Sequence, residues 1–145
     1  MKNGILLIAG LVVIALYVIF SVAIHEALYY ESEFSQEMYN NNMYLVVALI
    51  NSGIALATAA IYYYAINSVS FARWYHWLIF LGIAVIFAFA LDFIYPNSVF
   101  SEYEFTTQLL QFSLLNIIVE ALLFIIVSYS IRWWSSNCRH TPIPQ

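Results

Sequence analysis

Apolar residues dominate four long runs, residues 4–24, 44–66, 74–94 and 109–131, and the charged residues fall mostly in the short stretches between them. At 1.5 Å of rise per residue, each run is long enough to cross a bilayer as a helix. The pattern predicts an all-α integral membrane protein, a four-transmembrane-helix antiparallel bundle with short loops. Helices are expected at about 4–30, 43–66, 73–95 and 107–132, followed by a cytoplasmic C-terminal tail over 133–145. No repeat, low-complexity segment or linker divides the chain, so residues 1–145 read as a single membrane domain.

The predicted boundaries carry local signals. Asn42 stands where it would cap a helix beginning at Met43. Pro96-Asn97-Ser98 reads as a stop for the third helix, because proline disfavours helix in the residue before it. The acidic stretch 31–42 reads as a solvated outer loop. The link 67–73 is tight enough to make the second and third helices neighbours.

Composition strengthens this picture: 64% of residues are hydrophobic, only 8% are charged, and the mean hydropathy is +0.85, all far from a water-soluble domain. The net charge of −4 matters through its distribution. Lys2, Arg73, Arg132 and Arg139 all fall on one predicted side; Glu31, Glu33, Glu37, Glu102 and Glu104 fall on the other. The positive-inside rule then places both termini in the cytoplasm, most simply across a bacterial inner membrane. Aromatic residues at 62–64, 74–77 and 133–134 mark the inner headgroup layer, and Tyr29, Tyr30, Tyr39, Tyr44, Tyr95 and Tyr103 the outer one. Lys2 with Ser21-Val22-Ala23 also has features of a secretion signal, but the apolar stretch exceeds the usual h-region of about 7–15 residues, which favours an uncleaved helix.

Ala48, Ser52, Ala55 and Ala59 form one stripe of small residues on the second helix, suited to close helix packing. Gly53, Ala57 and Ala60 make a second small face, and Gly82, Ala84 and Ala88 a third, on the next helix.

The fourth run holds the main chemical signal. Ser113, Asn116 and Glu120 share a face, and Glu120 lies near mid-membrane, where an ionised acid costs roughly 2.5–3.5 kcal/mol. Three readings are open. Glu120 is protonated and bonds a helix such as the one bearing Asn51 and Ser52; or it pairs with a polar group or cation on another protein's helix; or it lines a hydrated path with Asn116, Asn51 and Asp92. His25, Glu26 and Asp92 are placed at the outer headgroup layer, as ordinary interfacial residues or as an outer vestibule with divalent-ion ligands. His76 reads as an inner anchor. Trp133, Trp134, Pro142, Ile143 and Pro144 make the tail apolar enough to dock on a cytoplasmic partner.

Catalytic chemistry has little support. Cys138 is the sole cysteine, which argues against thiol exchange, and no metal centre or cofactor is expected. The histidines are too near the predicted membrane edges for haem ligation or for activating a deep serine. No phosphate loop or basic cluster suits nucleotide or nucleic acid. Small multidrug exporters have this size and span number, but their essential glutamate lies in the first helix, whereas the first run here has no acid at mid-membrane. The leading expectation is a non-enzymatic assembly subunit of a larger membrane complex in secretion, envelope or defence machinery. Its partners would be the lipid bilayer, copies of itself and other membrane proteins. The alternative is a homo-oligomeric ion or proton channel, or a proton-coupled transporter, using Glu120.

Overall fold

The computed structural model describes residues 2–136 and is helical throughout them, with no strand. The elements are α1 (Lys2–Ile19), α2 (Ser21–Leu28), α3 (Ser32–Asn40), α4 (Met43–Ala60), α5 (Trp74–Val99) and α6 (Thr106–Ile131). A π-helical turn, Ile61–Ile66, continues α4, and 3-10 turns occupy Val69–Phe71 and Arg132–Trp134. Four segments are long and apolar enough to cross a membrane: Lys2–Ile19, Met43–Ile66, Trp74–Val99 and Thr106–Trp134. Helix α6 is the hub, packing against α1, α4 and α5.

Several elements depart from the expected boundaries. The single helix expected at 4–30 is two, because Phe20 leaves helical geometry (φ −95°, ψ 21°). Backbone bonds from Phe20 N to Leu16 O and from Ile24 N to Phe20 O bridge the break, so the chain bends without opening into a loop. The expected solvated loop 31–42 contains α3. Its residues Phe34, Ser35 and Met38 share one face and are buried, with Phe34 and Met38 against Tyr44, Phe100, Phe105 and Phe112. Apolar contact along this face stabilises a helix that its acidic composition alone would not suggest.

Asn42 precedes α4 but does not cap it through its side chain; it instead takes a left-handed conformation (φ 55°) that turns the chain from α3 into α4. Pro96 does not stop α5, which runs on to Val99. Proline has no N–H, so the Asp92 carbonyl four residues earlier lacks its usual helical hydrogen bond. Such a break is tolerated where neighbouring helices enclose the backbone, and both Asp92 and Pro96 are buried.

The stripe Ala48, Ser52, Ala55 and Ala59 is buried, as close packing within the fold requires, while Gly53, Ala57 and Ala60 face outward. The tightest approach is elsewhere. A Cβ placed on Gly10 of α1 would lie 2.5 Å from the Cβ of Ser130 on α6, so glycine allows these two helices to meet.

The tyrosines at 62–64 do not all mark a headgroup layer. The π-helical turn carries Tyr62 and Tyr63 into the interior, where the Tyr62 hydroxyl donates to the Phe71 carbonyl at 2.7 Å; Tyr64 stays exposed and donates to the Ile131 carbonyl. Trp77 is also internal, and its indole N–H donates to Ser128 Oγ at 3.2 Å.

Candidate functional site

Five helices bring polar side chains into the interior. On α6, Ser113, Asn116 and Glu120 lie on one buried face, as their three-and-four spacing predicts. Helix α4 adds Asn51 and Ser52, α5 adds Asp92, α2 adds His25 and α1 adds Tyr17. Glu120, Asp92, His25 and Asn51 each have 0% of their surface exposed.

Hydrogen bonds give part of this cluster a direction. His25 Nδ1 lies 2.8 Å from the Ser21 carbonyl, and His25 Nε2 lies 3.1 Å from the Tyr17 hydroxyl. A carbonyl can only accept, so Nδ1 carries a proton, and in the neutral ring Nε2 then accepts from Tyr17. The Tyr17 oxygen in turn accepts from Asn51 Nδ2 at 3.3 Å. These bonds select the Nδ1–H form of the neutral imidazole, and Tyr44 stacks on the ring at 5.8 Å between centroids with Phe112 at 5.5 Å. Asn116 lies beside the same ring.

The chain of groups continues to two acids. Asn51 lies beside Asp92, and Asp92 and Glu120 are close enough to interact electrostatically. All four of their carboxyl oxygens lack a hydrogen bond from any protein group, as do Ser113 Oγ, Ser52 Oγ and both polar atoms of Asn116. Buried polar atoms without partners are costly, about 1–3 kcal/mol each, and more for charged groups. Two acids in one enclosed, partly satisfied cluster form a place where protons, water or a small cation would be held more favourably than in the surrounding apolar packing.

The positions of individual residues revise the expectations. His25 and Asp92 do not stand open to solvent: His25 is buried among Tyr17, Tyr44 and Phe112, and Asp92 is buried on the part of α5 that runs on through Pro96. Glu26 is half-exposed and outside this cluster. Among the described residues, no three His, Cys, Asp or Glu side chains are placed to hold a metal ion, so His25, Glu26 and Asp92 do not assemble as divalent-ion ligands. Glu120 has no exposed surface through which to meet a cation on another protein's helix. Of the tail residues, Trp133 and Trp134 are described; Trp134 is exposed, and the Arg132 guanidinium lies 4.0 Å from the centroid of the Trp133 ring. Pro142, Ile143 and Pro144 lie outside the described residues.

Tyr17 was not singled out in the sequence, although it links His25 to Asn51. Its signal was present as Tyr17, Ser21 and His25 at successive steps of four, the polar face of an otherwise apolar run.

The chain matches no protein-family model, no curated protein and no solved structure.

Proposed function

We propose that this protein is a small proton-coupled transporter or proton-conducting membrane protein in which Glu120 and Asp92 load and release protons inside the bilayer. One observation carries the reading: the two acids are fully buried and close enough to interact electrostatically, their oxygens take no hydrogen bond from protein, and a run of hydrogen-bonding groups, Asn51, Tyr17 and His25, lies near them. Acids linked to histidine and tyrosine inside a membrane are the parts from which proton relays are made.

In this reading the four spans alternate in direction, both termini are cytoplasmic, α3 and the 100–105 turn face outward, and the membrane is a bacterial inner membrane. The one-sided distribution of Lys and Arg supports that orientation. Infrared difference spectroscopy across a pH step, in native-lipid discs, tests the loading. Carboxyl C=O signals should appear and should be lost separately in Glu120→Gln and Asp92→Asn. A wild-type spectrum without any carboxyl change removes the proposal.

The second reading, an assembly subunit acting through its helix faces, is favoured by the outward-facing Gly53, Ala57 and Ala60 on α4. Affinity purification in native-lipid discs with intact-complex mass measurement tests it. A stoichiometric second protein supports it, whereas a monomer at every concentration, with nothing else enriched, removes it.

A further inference from the structure

One end of the buried cluster lies directly behind a surface cleft. The cleft has a volume of about 550 Å³ and sits where α1 bends into α2, between that bend, α3 and the start of α4. Val18, Ile19, Val22, Met38 and Leu45 make its walls largely apolar; Asn40 and Asn42 stand at its rim, and Ser21 and Tyr44, each almost wholly buried, line its inner side. These last two residues are the ones that hold His25: Ser21 through its carbonyl and Tyr44 through ring stacking. His25 is therefore one residue layer from the cleft and one hydrogen bond from Tyr17.

The opposite end is closed differently. Tyr62, Tyr63, Trp77, Phe124 and Val127 form a continuous apolar and aromatic cluster. Close-packed side chains of this kind leave no room for a water file.

We propose that this cleft is the water-filled entrance to the buried acids, with Ser21 and Tyr44 on its inner side and His25 as the group through which protons pass between the cleft and Asp92 and Glu120. This assignment rests on the proton-loading reading and adds its route and its side. His25 suits the position because imidazole has a nitrogen on each side of the ring: Nδ1 faces Ser21 on the cleft's inner side and Nε2 faces Tyr17. From the Nδ1–H tautomer the ring takes a proton at Nε2 and releases one from Nδ1, which leaves it neutral but as the Nε2–H tautomer, so a ring turn resets it before the next passage; the Asn51 amide does not relay protons, so water carries the proton between Tyr17 and the acids. The Ser21 carbonyl cannot itself carry a proton, so exchange at Nδ1 requires water from the cleft to replace that bond.

The test separates route from loading by using two carbodiimides, which modify protonated carboxyl groups: a lipid-soluble one that reaches the acids through the membrane, and a water-soluble one that needs an aqueous path. The background is the full chain with Cys138→Ser, into which Ser21→Cys or, as a control, the outward-facing Gly53→Cys is placed. Each variant is compared with itself before and after treatment with a bulky water-soluble methanethiosulfonate, and peptide mass spectrometry reads modification at Asp92 and Glu120. The proposal expects the Ser21→Cys thiol to react and its blocking to slow water-soluble labelling of both acids by about tenfold, since reactivity at a buried group follows access. Blocking the Gly53→Cys thiol should leave that rate unchanged. An inert Ser21→Cys thiol, or a labelling rate indifferent to its blocking, overturns the entrance while lipid-soluble labelling keeps the loading reading. Failure of both reagents to modify either acid overturns both.

Discussion

Replacing Gly10 with alanine tests how the α1–α6 contact holds Tyr17 in place. The added Cβ would sit 2.5 Å from Ser130 Cβ, whereas carbon atoms pack at about 3.5–4.0 Å, so the helices must separate by about 1 Å at that point. Rotating the Ser130 hydroxyl removes its own clash but not that of Cβ, which is fixed by the backbone, and it breaks the 2.7 Å bond from Ser130 Oγ to the Ile126 carbonyl. Overpacking of this kind costs about 1–3 kcal/mol. Tyr17 lies two turns farther along α1, so the displacement also strains its bonds to His25 and Asn51. Reversible unfolding in detergent micelles should show Gly10→Ala destabilised by that amount. Adding Ser130→Gly should recover about 1 kcal/mol or more of coupling in a double-mutant cycle. Equal stability of Gly10→Ala and wild type, or strict additivity of the two changes, would refute the close-contact argument.

Tyr17→Phe removes the hydroxyl that joins His25 to Asn51 and leaves both without that partner; unfolding should be easier by about 1–3 kcal/mol, and unchanged stability would count against the network. Pro96→Ala restores an N–H for the Asp92 carbonyl in a slightly smaller side chain, so α5 should gain about 1 kcal/mol or more in the same assay; a loss of stability would mean that the packing of the buried Pro96 ring outweighs the missing hydrogen bond. Tyr62→Phe deletes the bond to the Phe71 carbonyl and should cost about 1 kcal/mol, read as a lower unfolding midpoint.

Much of the helical content was legible because long apolar runs have few other stable outcomes than membrane-crossing helices. The face of α6 bearing Ser113, Asn116 and Glu120 was equally legible, since spacing alone places residues around a helix. What sequence could not reveal was depth and company. His25 and Asp92 stand near the ends of apolar runs, where hydropathy points to an interface, yet both are fully buried, His25 on the separate helix α2 and Asp92 on the stretch of α5 that continues through Pro96. Those two features depend on contacts with neighbouring helices that local propensity does not encode. Helix α3 was hidden for a related reason: its charged residues dominate the composition, while its stability rests on Phe34 and Met38 meeting residues from α4, α6 and the turn near Phe100.

If Glu120 and Asp92 carry protons inside the membrane, proton flux is the most direct measure of it. Purified protein is reconstituted into liposomes holding a pH-sensitive dye, and a pH gradient is imposed with potassium and valinomycin present to clamp the voltage. The dye response in wild-type vesicles should be well above that of empty ones, abolished by Glu120→Gln and strongly reduced by Asp92→Asn, with both variants folded. Equal traces from wild type, the two variants and empty vesicles, with and without added candidate substrates, would contradict it.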